Sequence, residues 1–252
     1  MIVVDIRPTS AVPRSAAALR PEAVLPLHAR FRRTTDPLLE TRPWSSVGLA
    51  GKRAFDILAS LLLLLGLSPL FLLVIVAIPL ESPGPAFFRH DRIGLHGRTF
   101  RIFKFRTMRR DAHAKREAMV GTKDAKRLLF KSKKDPRVTK LGHLLRKYSI
   151  DELPQLLNVL RGEMSLIGPR PLLKEDFQID GLPDALYLQW LRDRHSLWPG
   201  ITGLWQVSGR SELSFEDSMR ADLAYVTRWS PWLDVKILVK TPLAVLQGKG
   251  AY

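Results

Sequence analysis

The 252-residue sequence contains no cysteine. This absence excludes a disulfide framework, a catalytic thiolate and a zinc site with cysteine ligands. Residues 1–36 also contain no sustained apolar run, so no secretory signal peptide is visible at the N-terminus. The lack of cysteine agrees with a reducing compartment. The length suits one substantial hydrophobic core better than two independent domains.

Acidic residues are scarce in one stretch of the chain. Residues 86–149 hold 20 lysines and arginines against 5 aspartates and glutamates, so this stretch carries most of the net charge of +16. A field of this strength attracts polyanions such as nucleic acid, anionic lipid headgroups or phosphorylated substrates. A solvated basic surface without a specific partner would have the same composition, which therefore does not choose among these partners.

Charged residues are absent altogether from residues 57–80, a run of 24 residues. A helix of this length is long enough to cross the hydrocarbon core of a bilayer, which is about 30 Å thick. The helices of soluble proteins are rarely apolar on every face over such a length. The sequence therefore predicts that this segment inserts into a membrane.

Two features favour a segment that enters the membrane and turns back. Pro69 follows Ser68 near the middle of the run, and a proline there predicts a kink. Lys52 and Arg53 precede the run and several arginines follow it, so a single crossing would conflict with the positive-inside rule. A helix–break–helix with both ends in the cytoplasm removes this conflict, although proline kinks also occur in helices that cross the membrane.

The whole sequence predicts one α-rich α/β globular domain with short strands, attached to an N-terminal re-entrant membrane helix. Residues 1–50 hold six prolines without periodicity and are typical of a flexible basic arm, residues 51–82 form the membrane segment, and residues 83–252 form the globular domain. Strands are predicted at 87–89 and 99–105 around a turn at 94–97, and helices at 111–130, 141–147, 151–160 and 214–227. An apolar segment at 233–246 closes the chain.

The segment Ser149-Ile-Asp-Glu152 has two interpretations. It matches a capping box, in which Ser149 and Glu152 satisfy backbone N–H groups at the start of a helix. Pro154 would then fall past the first turn, whereas a helix that begins near Asp151 tolerates it. In that second case two ionised carboxylates sit at a helix N-terminus, with Arg146 upstream. An ionised aspartate can attack phosphorus, and an ionised glutamate can bind Mg²⁺; the residues alone leave both interpretations open.

Other residues are candidates for binding phosphate or sugar. Arg170 lies between two prolines, which present its guanidinium on a stiff loop suited to phosphate. Lys104 and Arg106 would share one face of a strand, either as phosphate ligands or as solvated charges. Residues 199–210, which are rich in glycine and contain Trp205, form either a contact loop for sugar or nucleotide or a turn with a buried tryptophan.

In their order along the chain, these clusters resemble the bacterial sugar transferases, the monotopic phosphoglycosyl transferases that act on polyprenyl phosphate. The resemblance runs from about residue 50 to the C-terminus, and with only 50 residues ahead of it the chain resembles the minimal form of the family. The matching stretches are Lys52–Asp56, Ser68-Pro69, Lys104–Met108, Asp135–Thr139, Leu145-Arg146, Ser149–Leu156, Asn158–Leu160, Met164–Pro171, Pro199–Gly203 and Trp205–Arg210.

The resemblance implies a specific reaction and a set of site residues. The reaction is transfer of hexose-1-phosphate from a UDP-sugar to polyprenyl (undecaprenyl) phosphate, with release of UMP. Asp151 is the implied nucleophile that carries the phosphosugar covalently, and Glu152 is the implied Mg²⁺ ligand. Lys104, Arg146 and Arg170 are the implied phosphate-binding residues.

The resemblance also implies partners and a location. The partners are a UDP-hexose, polyprenyl phosphate and the anionic lipids of the bacterial inner (cytoplasmic) membrane, with the Ser68-Pro69 break inside that membrane and the catalytic domain on its cytoplasmic face. The product would start the synthesis of an exopolysaccharide, capsule or O-antigen-type glycan. The oligomeric state is left open, a homodimer being one arrangement.

Two alternatives compete with this function. A membrane-tethered nucleic-acid binder would use the basic stretch, but the sequence has no zinc-ligand spacing, aromatic RNA-binding signature or clear helix-turn-helix. We therefore expect no nucleic-acid partner. A non-catalytic membrane-surface scaffold is disfavoured because Asp151, Glu152, Arg146 and Arg170 are all present.

Overall fold

The computed structural model describes residues 44–109, 135–173, 191–209, 213 and 215–246. Most of the predicted arm (residues 1–50) and the predicted helix 111–130 lie outside the described residues. The helices are α1 (Ser46–Gly66), α2 (Ser68–Glu81), α3 (Lys140–Lys147), α4 (Leu156–Leu160), α5 (Leu204–Ser208), α6 (Phe215–Thr227) and α7 (Pro231–Leu246). The strands are β1 (Phe87–Ile93), β2 (Thr99–Phe105), β3 (Ser165–Ile167) and β4 (Gly200–Thr202). The prediction of a helix-rich domain with a few short strands is confirmed.

Helices α1 and α2 form a bent pair. α1 begins at Ser46, ahead of the boundary predicted at residue 51, and the two helices meet at an angle of 62°. Pro69 occupies the first turn of α2, where its missing N–H removes no helical hydrogen bond. The Ser68 hydroxyl donates to the carbonyl of Leu65 at 2.7 Å. The predicted break at Ser68-Pro69 is therefore confirmed. Among the described helices none is long and apolar enough to cross a membrane alone, whereas this pair together meets the criterion of length and composition.

One face of α1 is polar and bonded to the globular domain. The Lys52 ammonium donates to Asp234 Oδ2 at 2.7 Å and to the Ile167 carbonyl at 2.9 Å. Asp56 Oδ1 accepts from the Leu166 backbone N–H at 3.1 Å. Lys52 and Asp56 are both buried, and charges of this kind are stable inside a protein only when paired. These bonds fix the start of the apolar segment against β3 and α7.

Two small sheets connect the helices. β1 and β2, the strands predicted on either side of the turn at 94–97, form an antiparallel hairpin in register from Phe87 opposite Phe105 to Ile93 opposite Thr99. β1 is longer than predicted, since it continues past residue 89 to Ile93. β3 and β4 pair in parallel, with Ser165 opposite Gly200. Lys104 lies near the end of β2 in the first sheet. In the second sheet, Gly168, which follows β3, lies against Trp198 and Pro199, which precede β4.

The hydrophobic core lies between these sheets and the helices α4 to α7. A second, smaller apolar cluster lies under α2 and contains Phe105 and Leu145. The main core consists of Phe100, Ile102, Leu156, Val159, Met164, Leu166, Ile167, Leu197, Leu204, Tyr225, Val226, Trp229 and Ile237.

Candidate active site

The chain turns sharply between α3 and the segment that bears the two carboxylates. α3 ends at Lys147, Ser149 has a left-handed backbone (φ 55°, ψ 21°), and a 3₁₀ helix then spans Ile150–Gln155. The Ser149 side chain makes no capping hydrogen bond. The capping-box interpretation is therefore wrong, because a serine cap requires an extended backbone to aim its oxygen at the N–H groups ahead. The left-handed turn instead brings the end of α3 close to Asp151.

Glu152 lies between two cations. Its Oε1 accepts from Lys104 Nζ at 2.6 Å and from Arg170 Nη2 at 3.0 Å. Burial alone would raise the pKa of the Glu152 carboxyl, but Arg170 and Lys104 more than offset it and hold that pKa well below its usual range. Glu152 is therefore ionised at neutral pH.

Asp151 differs from its neighbour in its surroundings. Its side chain is buried, and burial raises the pKa of the Asp151 carboxyl to about 6. The negative charge of Glu152 adds to this rise, while Lys104, Arg146 and Arg170 oppose it. The two adjacent carboxylates thus have pKa values shifted in opposite directions, an arrangement typical of catalytic pairs.

Arg146 is held beside Asp151 by the packing of α3. Its Nε donates to the Thr107 hydroxyl at 2.9 Å. α3 approaches the backbone of Thr107 so closely that a Cβ atom at Gly142 would collide with the Thr107 carbonyl. Burial lowers the pKa of Arg146, opposed chiefly by Asp151, but an arginine remains charged at neutral pH. Arg146 therefore places a fixed positive charge next to the carboxylate pair.

Arg170 is presented by a loop bonded to both ends of β4. The Gly168 N–H donates to the Thr202 carbonyl at 2.9 Å, and the Gly200 N–H donates to the Pro169 carbonyl at 2.8 Å. The two backbones are so close that a Cβ atom at Gly200 would collide with the nitrogen of Gly168. The predicted contact segment 199–210 thus supports the Pro-Arg-Pro loop.

Two residues that sequence reasoning missed, Arg194 and Asp222, hold the backbone of Arg170 in place. The buried Arg194 guanidinium donates to the carbonyl of Arg170 and, through Nε, to Asp222 Oδ2 at 2.9 Å. Arg194 lies in a charged stretch that has no motif, so its sequence context is typical of a surface. The Arg170 guanidinium carbon also lies 5.8 Å from the centre of the Trp205 ring, which brings this predicted aromatic residue to the site.

Arg106 does not join the site, although it follows Lys104 by two residues. Its guanidinium donates to the Pro83 carbonyl at 3.0 Å and to the carbonyls of Ser82 and Gly84, at the end of α2. It therefore ties the bent helix pair to the hairpin. The predicted residues that meet at the site are Lys104, Arg146, Asp151, Glu152 and Arg170, whereas Ser68 and Pro69 form the helix break.

A small cavity opens beside the Glu152 ion pairs. It is walled by cationic, polar and apolar side chains, and one of its lining residues, Gln155, comes from the same 3₁₀ helix as the carboxylates. Three of its lining residues are cations and one is a carboxylate, which suits an anionic ligand such as a phosphate. The lining residues are Arg92, Ile102, Lys104, Glu152, Gln155, Arg170, Pro171, Gly200 and Ile201.

The carboxylate pair fits Mg²⁺ only together with a phosphate. Within the described ranges, no three histidine, aspartate or glutamate side chains are grouped to hold a metal by themselves. Mg²⁺ is commonly bound by one or two carboxylates plus substrate phosphates and water. Glu152 is ionised and adjacent to Asp151, so the donor set can supply the protein's share of such a site.

Comparison with known proteins reveals close relatives. The sequence profile of the family described as "Bacterial sugar transferase" matches residues 47–248. The chain is 42% identical over 217 residues to the "Exopolysaccharide production protein ExoY" of Sinorhizobium fredii, an alignment that covers 84% of this chain and 93% of that protein.

Two larger relatives match over the same region. The "Undecaprenyl-phosphate glucose phosphotransferase" of Komagataeibacter xylinus is 44% identical over 217 residues, which is 84% of this chain and 39% of that protein. The "Undecaprenyl-phosphate galactose phosphotransferase" of Salmonella typhimurium is 39% identical over 205 residues, which is 80% of this chain and 41% of that protein. The chain thus spans nearly all of the first relative and less than half of these two.

Proposed function

Because the chain belongs to the bacterial sugar transferase family, we propose that it transfers hexose-1-phosphate from a UDP-hexose to polyprenyl (undecaprenyl) phosphate and releases UMP. The printed names of two relatives support the lipid acceptor and the phosphotransfer. The name of the relative that this chain covers almost completely supports a role in exopolysaccharide production. The relatives therefore support an enzyme of the sugar phosphotransferase class. The UDP-hexose donor and the covalent intermediate are our proposal.

The observation that carries this proposal is the pairing of a buried carboxylate with an ionised one among cations. Asp151 is 9% exposed, and Glu152 beside it accepts hydrogen bonds from Lys104 and Arg170. A phosphate that approaches Asp151 meets positive charge from Lys104, Arg146 and Arg170. Catalysis of phosphoryl transfer rests on such positioning and charge stabilisation.

In the first half-reaction, an oxygen of the Asp151 carboxylate attacks the β-phosphorus of the UDP-hexose. A bond forms between Asp151 and this phosphorus, and the bond from the phosphorus to the bridging oxygen breaks. UMP leaves with the bridging oxygen, and its new negative charge is stabilised by the nearby cations. Asp151 then carries a hexose phosphate as an acyl phosphate.

In the second half-reaction, a phosphate oxygen of polyprenyl phosphate attacks the phosphorus held by Asp151. The new bond joins the two phosphates, and the bond between phosphorus and Asp151 breaks, which restores the carboxylate. No proton is required at Asp151 in either step if it stays ionised. Lys104 and Arg170 serve both steps, because the same phosphoryl group develops charge in each.

Mg²⁺ is the proposed cofactor, held by Glu152 together with phosphate oxygens of the donor. When bound, it would neutralise charge on the diphosphate and on the departing UMP. The low pKa of Glu152 supports this role, because a metal-binding carboxylate must be ionised.

We further propose that α1 and α2 form a re-entrant membrane anchor at the cytoplasmic face of the inner membrane, where anionic lipids attract the basic stretch. Large apolar side chains on both helices are exposed, among them Leu62, Leu65, Leu72 and Leu80 at 71%, 75%, 66% and 80%. Contiguous exposure of this kind marks a surface that another apolar phase covers. The arrangement would place the carboxylate pair at the headgroup level, where a soluble nucleotide-sugar and a lipid phosphate can meet.

The direct test is product analysis with detergent-solubilised protein, Mg²⁺, polyprenyl phosphate and a panel of UDP-hexoses. We expect UMP release with at least one donor, dependent on Mg²⁺ and reduced about a thousandfold or more in Asp151→Asn. The matched control is Asp91→Asn, since Asp91 is an exposed carboxylate on β1 whose side chain is 54% accessible. Release of UDP in place of UMP, or equal UMP release by Asp151→Asn, would contradict the proposal.

A further inference from the structure

Gln155 is the last residue of the 3₁₀ helix that carries Asp151 and Glu152. Its side chain is only 2% exposed, and it lines the cavity that also contains Lys104, Glu152 and Arg170. Sequence reasoning gave it no role. Its position nevertheless places a carboxamide in the wall of the same cavity as the cations that the proposed reaction uses.

The carboxamide nitrogen of Gln155 has no hydrogen-bond partner within the part of the chain that the structure describes. Nε2 is inaccessible to solvent and makes no hydrogen bond. A buried donor without an acceptor destabilises a protein by an amount comparable to a lost hydrogen bond. Such a group is uncommon in native proteins, and in a cavity the missing acceptor can come from a water molecule or from a bound ligand.

A second amide three residues later provides the contrast. Asn158 is completely buried, and its Oδ1 accepts from the Phe103 N–H at 2.9 Å. Its Nδ2 donates to the Arg101 carbonyl at 2.7 Å and to Glu163 at 2.6 Å. The fold therefore satisfies every hydrogen-bonding group of the Asn158 amide, which supports the structure here. It leaves Nε2 of Gln155, which lines the cavity, without a partner.

We propose that Gln155 is a substrate-binding residue whose amide N–H donates to a phosphate oxygen of the ligand held by Lys104 and Arg170. This inference rests on the proposed function and adds a neutral donor to its cationic site. A neutral carboxamide suits a phosphate that already has strong cationic neighbours, because it fixes the orientation of one oxygen without adding charge. Two substrates bring such an oxygen: the UDP-hexose and the polyprenyl phosphate.

The test uses Gln155→Met, which keeps the size of the side chain and removes the donor. Wild-type UMP release is established first with the active UDP-hexose, so that failure of the proposed function is recognised before any variant is measured. We expect kcat/KM of Gln155→Met to fall about ten- to a hundredfold, the effect of losing one hydrogen bond to a charged oxygen. The same variant should have a higher melting temperature than the wild type without ligand, because the unsatisfied amide has gone.

Two further measurements identify the phosphate concerned. Slower single-turnover UMP release without lipid would assign the contact to the UDP-hexose, and slowing of lipid-dependent turnover alone would assign it to polyprenyl phosphate; both outcomes support the inference. Asn158→Leu is the control for a structural amide and should lower the melting temperature. If Gln155→Met lowers the melting temperature and leaves both half-reactions within twofold of the wild type, Gln155 serves packing and the inference is overturned.

Discussion

Asp151 and Glu152 are adjacent in sequence, yet their environments separate their chemistry. Glu152 shares one oxygen between Lys104 and Arg170, whereas Asp151 is buried and its pKa is raised to about 6. A metal-binding carboxylate needs a low pKa and a stable negative charge. A nucleophilic carboxylate is more reactive when its negative charge is poorly stabilised before the reaction. The proposed division of roles, with Asp151 as nucleophile and Glu152 as metal ligand, rests on this difference in burial and charge.

The raised pKa of Asp151 predicts a pH dependence. Because the folded-state pKa lies near 6, the carboxylate is present above this pH and is lost as the pH falls below it. Single-turnover UMP release should therefore decline about tenfold per pH unit below about pH 6. Glu152 does not add to this decline, since its pKa is well below the usual range. A rate that is unchanged down to pH 5, with the protein still folded by circular dichroism, would contradict this assignment.

Single residues also show where sequence reasoning succeeds and where it stops. Lys104, Arg146 and Arg170 could be predicted from motifs that resemble the family, and the structure places all three near the carboxylate pair. Arg194 could not, because its function is to donate to a backbone carbonyl of Arg170, and no residue pattern encodes that contact. Gln155 could not either, because its significance is a missing hydrogen bond inside a cavity.

Among the secondary-structure elements, the 3₁₀ helix determines the geometry of the site. The sequence predicted a regular helix over 151–160, but the structure has a 3₁₀ helix over Ile150–Gln155 followed by α4. The observed helix begins at Ile150, and a regular α-helix from that residue would use the N–H at position 154, which Pro154 lacks. β2 and the helices α3 and α6 follow their predicted ranges closely, because alternation and helical periodicity are local signals. β1 extends to Ile93, beyond the predicted 87–89, and the segment predicted only as apolar at 233–246 is the helix α7.

The contact between the Pro-Arg-Pro loop and β4 predicts a strong effect for a very small substitution. In Gly200→Ala, the added Cβ would collide with the backbone of Gly168, so the loop must move and Arg170 with it. We expect a loss of about 2–4 kcal/mol in the free energy of unfolding, together with reduced UMP release.

The matched control is Gly51→Ala in α1, where no atom lies within 4 Å of the added Cβ. Alanine favours a helix over glycine, so this variant should be neutral or more stable by up to about 1 kcal/mol. Chemical denaturation in detergent measures both variants. Equal stability of Gly200→Ala and the wild type would show that the loop tolerates displacement.

In the whole molecule, the bent helix pair and the globular domain are joined by polar contacts. Lys52 and Asp56 bind α7 and β3, and Arg106 binds the carbonyls that follow α2. The sequence predicted the apolar run and its break from composition and proline. It placed Lys52 only as a flanking charge of the apolar run and Arg106 as a phosphate ligand or a solvated charge, and it gave Asp56 no role by itself. The partners that the structure gives these residues are distant in the chain, so no local pattern indicates them.

The lack of cysteine makes the topology directly testable. Ser46→Cys and Ser82→Cys each introduce one thiol, at the two ends of the bent pair. We expect a membrane-impermeant thiol reagent to label both variants in inverted inner-membrane vesicles and neither in intact spheroplasts. The wild type is an unlabelled control. Labelling of the two positions from opposite sides would establish a crossing helix and contradict the re-entrant anchor.

The most direct measurement of the whole proposal is the intact mass of the protein after incubation with the active UDP-hexose and Mg²⁺ without lipid acceptor. We predict a mass increase equal to one hexose phosphate, located on the peptide that contains Asp151 and removed when polyprenyl phosphate is added. Asp151→Asn should show no increase, and Asp91→Asn should match the wild type. UMP release by the wild type with no covalent adduct, or an adduct that persists in Asp151→Asn, would contradict Asp151 as the nucleophile.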